Sequence, residues 1–194
     1  MRIVALLTTL VAFGAQAQTQ EKPAAQPQEK PAAAQEKPAA AAHEMPEPSE
    51  ELKVERWFVG SWTCKGHVQA GPMGPEHQMA SRLVFKMELG GFWLHYTGTA
   101  LAGPMKGKET LIGMAGWVGD HHERYDFHPG GYWHFTSKGW EADVLTFEGD
   151  AMMGAKKSSA RHVMTRKGKD RFDGVILLDG KTQVEESCTR ATKG

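Results

Sequence analysis

Between residues 83 and 96 apolar side chains fall on every second position. Leu83, Phe85, Met87 and Leu89 alternate with Val84, Lys86 and Glu88, and Phe92, Leu94 and Tyr96 resume the pattern after Gly90-Gly91. Period-two alternation marks a strand with one buried face. A two-residue turn at Gly90-Gly91 pairs Leu89 with Phe92, Met87 with Leu94 and Phe85 with Tyr96, all six on one side. Further strand segments are expected near 57–69, 106–118, 122–128, 131–137, 142–148, 158–166, 171–178 and 182–190. Breaks fall at Pro72 to Pro75, Gly103-Pro104, Gly119-Asp120, Pro129-Gly130, Gly149 to Gly154, Gly168 and Asp179-Gly180. The chain reads as all-β, an antiparallel up-and-down meander of about ten strands.

Such a meander has two edges, and closing it into a barrel removes them. Trp62 and Cys64 share one face of the first strand, while Cys188 and Arg190 share one face of the last. Pairing Cys64 with Cys188 puts Trp62 opposite Arg190, Val68 opposite Val184 on the inside and His67 opposite Glu185 on the outside. One register thus yields a disulfide, a cation–aromatic stack and an apolar pair. At Asp179-Gly180 a plain two-residue turn would send Val175 and Leu177 inward with Arg171 and Asp173. A type I turn with a glycine bulge instead sends Phe172, Gly174 and Ile176 inward, and it avoids burying two charges.

Gly60-Ser61-Trp62 resembles the G-x-W opening of lipocalins and related calycin barrels, where a basic residue of the last strand packs over the tryptophan, the place held here by Arg190. The stretch Leu89-Gly90-Gly91-Phe92-Trp93-Leu94, followed by Gly98, Gly107, Gly113 and Trp117-Val118-Gly119-Asp120, resembles a bacterial, exported calycin-like barrel family of unknown function, over roughly residues 56–190. Nitrobindin-like haem barrels share this fold class, but the neighbourhood of their ligand histidine finds no match here. The resemblance implies a calycin-like barrel and leaves its chemistry open.

The strand pattern stops short of the N-terminus. Met1-Arg2, an apolar run from Ile3 to Phe13 and Ala15-Gln16-Ala17 form an export signal, residues 1–17, with cleavage before Gln18. The apolar run is shorter than the roughly 20 residues a spanning helix needs, so no membrane span is expected. Residues 18–50 repeat Glu-Lys-Pro-Ala-Ala from Glu21, Glu29 and Glu36, a composition that forms a disordered, semi-extended tether. The barrel domain is then 51–194, and the processed protein is expected to be soluble and periplasmic or secreted. With 23 Lys+Arg against 23 Asp+Glu the chain carries no net charge, which gives no footprint for nucleic acid.

The chemistry is sparse. Asp120-His121-His122-Glu123, with Asp126, His128 and His134 nearby, is the densest polar group. In a strand His122, Arg124, Asp126 and His128 point one way, and Arg124 in their midst opposes a cation, so no metal is assigned to His121, His122 and His128. His95 and His162 read as single wall residues. No nucleophile elbow, zinc-protease helix, phosphate loop or dinucleotide fingerprint occurs, and neither catalytic activity nor a cofactor is expected. The expected function is binding of a small apolar or amphipathic molecule inside the barrel, against Phe85, Met87, Phe92, Leu94 and Tyr96, with His162 opposite. Trp62 and Arg190 are structural, and Cys64 and Cys188 form the disulfide. The alternative is a barrel filled by its own side chains, acting as a protein-interaction module on the tether.

Overall fold

The computed structural model describes residues 47–192. The expected export signal and most of the tether, up to residue 46, lie outside the described residues. The chain enters through a 3₁₀ turn, Glu50–Leu52, and a single helical turn, α1 (Lys53–Arg56). Ser49 caps the entry by accepting from the Glu51 amide at 3.2 Å, and Glu50 and Glu51 place negative charge at the positive end of the turn. The last residues of the expected tether therefore belong to this folded entry. The strand expected from residue 57 starts only at Gly60, because Leu52, Glu55 and Phe58 turn one helical face inward and are all buried.

Eleven strands follow: β1 (Gly60–Val68), β2 (His77–Glu88), β3 (Trp93–Ala100), β4 (Glu109–Val118), β5 (His121–His128), β6 (Gly131–Ser137), β7 (Trp140–Glu141), β8 (Val144–Met153), β9 (Lys156–Arg166), β10 (Arg171–Leu178) and β11 (Lys181–Arg190). Each pairs antiparallel with its sequence neighbour except at β6, which skips β7 to pair with β8. β1 pairs with β11, so ten strands close a barrel and β7 hangs on β8 as an extra two-residue strand. The closing seam has the expected register: Trp62 faces Arg190, Cys64 faces Cys188, His67 faces Glu185 and Val68 faces Val184. Cys64 and Cys188 are joined by a disulfide and wholly buried.

Three local expectations are corrected. Glu88 faces Trp93 as the last pair of its hairpin, so Leu89 to Phe92 form the loop, and Leu89 points to solvent at 66% exposure. A two-residue turn at Gly90-Gly91 gives way to this wider one, with Leu89, Gly90 and Gly91 all at positive φ. No break occurs at Gly149. β8 runs straight through it, and a Cβ there would lie 2.0 Å from the His134 carbonyl oxygen, so this glycine serves close approach of two strands.

The third correction concerns β10. Phe172, Gly174 and Leu178 are buried and Ile176 is half-buried on the inward side, as the bulged alternative requires. The Asp179-Gly180 turn, however, is a plain two-residue one with both residues at positive φ. The bulge sits at Gln183 in β11, where Ile176 pairs with Val184 but Leu177 with Thr182. It restores the inward parity after the turn.

Phe58 plugs one mouth of the barrel. Its ring lies 5.6 Å from Phe85, 6.0 Å from Trp140 and 5.7 Å from Phe172, which come from β2, β7 and β10. Trp62, buried behind this plug, donates its indole N–H to the Phe58 carbonyl at 2.7 Å. Arg190 lies over Trp62 with its Cζ 4.2 Å from the ring centre, and its two terminal nitrogens donate to the carbonyls of Val59 and Trp57 at 2.5 and 2.6 Å. Removing it costs a desolvated cation–aromatic contact and two charge-assisted hydrogen bonds that tie the plug to the seam. Arg190→Ala is expected to lower unfolding free energy by about 2–3 kcal/mol, read from denaturant midpoints. An unchanged midpoint would refute the role given to this contact.

Candidate ligand-binding cavity

Behind the plug the barrel interior holds a partly open cavity of ≈ 320 Å³. Phe85, Leu94, Leu145 and Phe147 form apolar wall, and the cavity reaches towards the opposite mouth at Met73 and Met105, in the loops 69–76 and 101–108. That volume is at the lower end of the roughly 300–1,000 Å³ usual for small-molecule sites. Of the residues expected at the site from the sequence, Phe85, Leu94, Tyr96 and His162 line the cavity. Met87 and Phe92 do not. Met87 packs half-buried against the core and Phe92 sits in the loop before β3, so the rim of the barrel rather than its interior holds them.

The polar side of the cavity comes from β5. His122, Arg124 and Asp126 are buried there, and Tyr125 and Phe127, on the alternate positions, face outward at 36% and 51% exposure. The strand is inside out relative to ordinary amphipathic alternation. Arg124 organises the group. Its Nε donates to Tyr96 Oη at 2.9 Å and to Asp126 Oδ1 at 3.1 Å, and its Nη2 donates to Asp126 Oδ2 at 2.5 Å. The Tyr96 hydroxyl donates to Asp126 Oδ1. Gly113 makes room for this tyrosine, because a Cβ there would overlap its ring at 2.1 Å. Burial disfavours the Arg124 charge, but Asp126 and Tyr96 outweigh it and hold the guanidinium more firmly protonated than usual. Burial raises the Tyr96 pKa well above that of free tyrosine, so its proton stays on.

Across the cavity Arg124 Nη1 donates to His162 Nδ1 at 2.9 Å. Burial, with Arg124 second, pushes the His162 pKa well below the ordinary value, so the ring is neutral. Its Nε2 is buried and has no hydrogen-bond partner. Beside it, Glu186 also lines the cavity. It is half-buried by accessible surface, and burial raises its carboxyl pKa to about 7 against the attraction of Arg124.

An acid whose folded pKa is raised binds its proton more tightly folded than unfolded. Stability therefore falls as pH rises from the usual glutamate range to about 7, and the loss is complete above it. The window corresponds to at most about 3 kcal/mol. Glu186→Gln is expected to remove this slope and to raise unfolding free energy near pH 8 by up to that amount. Denaturant unfolding near pH 5 and pH 8 checks it; equal slopes for both proteins would refute a desolvated Glu186.

Of the histidines singled out in the sequence, His121 and His134 meet at the Glu123 carboxylate, at 2.9 and 2.5 Å, while His122 and His128 lie apart from them. His122 turns inward and pairs through Nδ1 with Glu55 of α1, both nearly fully buried. His121 turns outward to Asp120 and Glu123, 2.9 Å from each. His128 packs on Trp133, with ring centres 4.9 Å apart. Glu186 is the one carboxylate among the described residues that lies within 4.8 Å of both sulfurs of Cys64 and Cys188, and those sulfurs are bonded to each other and so are not thiolate ligands. Arg124, Asp126 and Glu186 are the interior residues that sequence reasoning left out of the site. Register continuity could have found the first two, since Trp117 opposite His122 across Gly119-Asp120 puts Ala115 opposite Arg124.

The fold defines a class: closed, ten-stranded antiparallel barrels with one plugged mouth. Among solved structures of similar fold is the crystal structure of Rv2717c from M. tuberculosis, which superposes with a TM-score of 0.58 at 14% identity, over 75% of this chain and 100% of that one. At that identity the likeness concerns the fold alone. No family model matches the chain, and no curated protein matches it.

Proposed function

We propose that this chain is an exported, periplasmic or secreted, calycin-like barrel that binds a small apolar or amphipathic molecule in its interior without catalysing a reaction. The observation that carries this reading is the cavity itself: apolar on most of its wall, with a few convergent polar atoms on one side. It favours a hollow barrel over one filled by its own side chains. Arg124, Asp126 and Tyr96 satisfy one another, so they suit the positioning of a ligand rather than its turnover. The Cys64–Cys188 disulfide fits an oxidising compartment, and among the described residues no helix is long and apolar enough to cross a membrane.

Titration with a neutral apolar fluorophore such as Nile red tests the reading. Saturable one-to-one binding is expected, with affinity changed by about tenfold in Phe85→Ala, equivalent to ~1.4 kcal/mol. Absence of saturable binding by the folded wild-type protein would refute it.

A further inference from the structure

The unpaired nitrogen of His162 specifies what the polar end of a ligand has to be. Arginine has no acceptor, so in the 2.9 Å contact Arg124 donates and His162 Nδ1 accepts. A neutral imidazole that accepts at Nδ1 carries its proton on Nε2. The ring is 4% exposed and lines the cavity, and this Nε2–H meets no acceptor in the protein. A buried donor without a partner costs about 1–3 kcal/mol, which a ligand acceptor relieves.

The second group is brought in by a glycine. Glu186 on β11 faces Gly174 on β10, and His162 lies diagonally on β9, where it faces Ile176. Glu186 Oε1 and His162 Nε2 are each 3.1 Å from the point where a Cβ of residue 174 would sit. They are therefore no further apart than twice that distance. One oxygen that accepts from an N–H and donates to a carboxylate, bent at a near-tetrahedral angle, bridges about 4.5–5 Å, inside that limit. Any side chain at position 174 would press on both groups.

We propose that the cavity takes a neutral hydroxyl-bearing amphiphile, its hydroxyl oxygen accepting from His162 Nε2–H and its hydroxyl hydrogen donated to Glu186, with the hydrocarbon part along Phe85, Leu94 and Phe147. This deepens the binding function proposed above and rests on it. The charges around the pair argue against the other head groups. A carboxylate would lie beside Glu186, while Arg124 is already balanced by Asp126. An ammonium could donate to Glu186, but it has no lone pair to accept from the Nε2–H, which would stay unpaired, and it would sit near the Arg124 guanidinium. An alcohol alone both accepts and donates through one oxygen.

The test is a homologous series on the intact oxidised protein near pH 8, where Glu186, raised to about 7, is mostly ionised. Decanol, decanoate, decylamine and decane are compared as competitors of the bound fluorophore. Decanol is expected to bind about tenfold more tightly than decane and more tightly than either charged analogue. His162→Phe and Glu186→Met are each expected to bring decanol down to the level of decane while decane binding persists. Should His162→Phe fail to fold, Glu186→Met carries the comparison. Equal affinity of decanol and decane, or tighter binding of decanoate or decylamine, overturns the hydroxyl assignment and leaves the cavity as a binding site. Failure of all four, decane included, overturns the binding function and this inference with it.

Discussion

Removing the Cys64–Cys188 bond is expected to lower the unfolding free energy by up to about 5 kcal/mol. The two residues are 124 apart in sequence, so the bond closes nearly the whole described chain into one loop and restricts the unfolded ensemble accordingly. Its position adds a second effect. β1 and β11 are the first and last strands, and they meet only at this seam. Without the crosslink the seam depends on backbone pairing from Trp62–Arg190 to Val68–Val184, and fraying it exposes two unpaired edges. Cys64→Ala/Cys188→Ala is therefore expected to keep the strand content, lose much of its denaturant resistance and gain a tendency to associate. Urea unfolding with and without reductant measures the first effect, and light scattering the second. Two titratable thiols in the unreduced, denatured wild type, or equal midpoints, would refute the bond.

The seam was legible in the sequence because several independent demands met in one register. A cysteine pair, a tryptophan facing an arginine and two valines constrain the same alignment, and a slip by one residue would break all of them. Elsewhere a single demand was outvoted. Leu89 fits the alternation of β2, yet the chain at Leu89 to Gly91 is held at positive φ and turns early. Gly149 reads as a turn because glycine more often marks one, whereas in the fold it lets β6 and β8 approach. The cost of burying Arg171 and Asp173 predicts a bulge near Asp179-Gly180. Cost decides the parity but not the position, and Gln183 takes the extra place.

The site was harder to read for a physical reason. Hydrophobic alternation assigns faces by polarity, and in β5 the polar residues are inside. Nothing local distinguishes a charged face turned to solvent from one turned to a cavity. What distinguishes them is a long-range balance: Arg124 with Asp126 beside it, Tyr96 across two strands and His162 from the far wall. Such a balance appears only once ten strands are closed.

That balance sets the last expectation, which concerns Arg124. Arg124→Met is expected to cost about 3–5 kcal/mol, because it leaves Asp126, 1% exposed, with no cation beside it. The loss is a large fraction of an ordinary domain's 5–15 kcal/mol, so the single variant stands at the edge of folding. Arg124→Met/Asp126→Leu removes both charges and replaces them with apolar volume. It is expected to recover most of the loss, since a buried pair contributes little net stability beyond keeping each partner compensated. Stability and specificity then separate. Without Arg124 no donor holds His162 Nδ1 as an acceptor, and the imidazole is free to carry its proton on either nitrogen. The double variant should consequently melt close to the wild type, bind decane as before and lose the tenfold preference for decanol. Urea midpoints and the same competition series read both quantities. A double variant as unstable as the single one would refute the compensation argument, and one that keeps the full alcohol preference would show that Arg124 does not set the His162 tautomer.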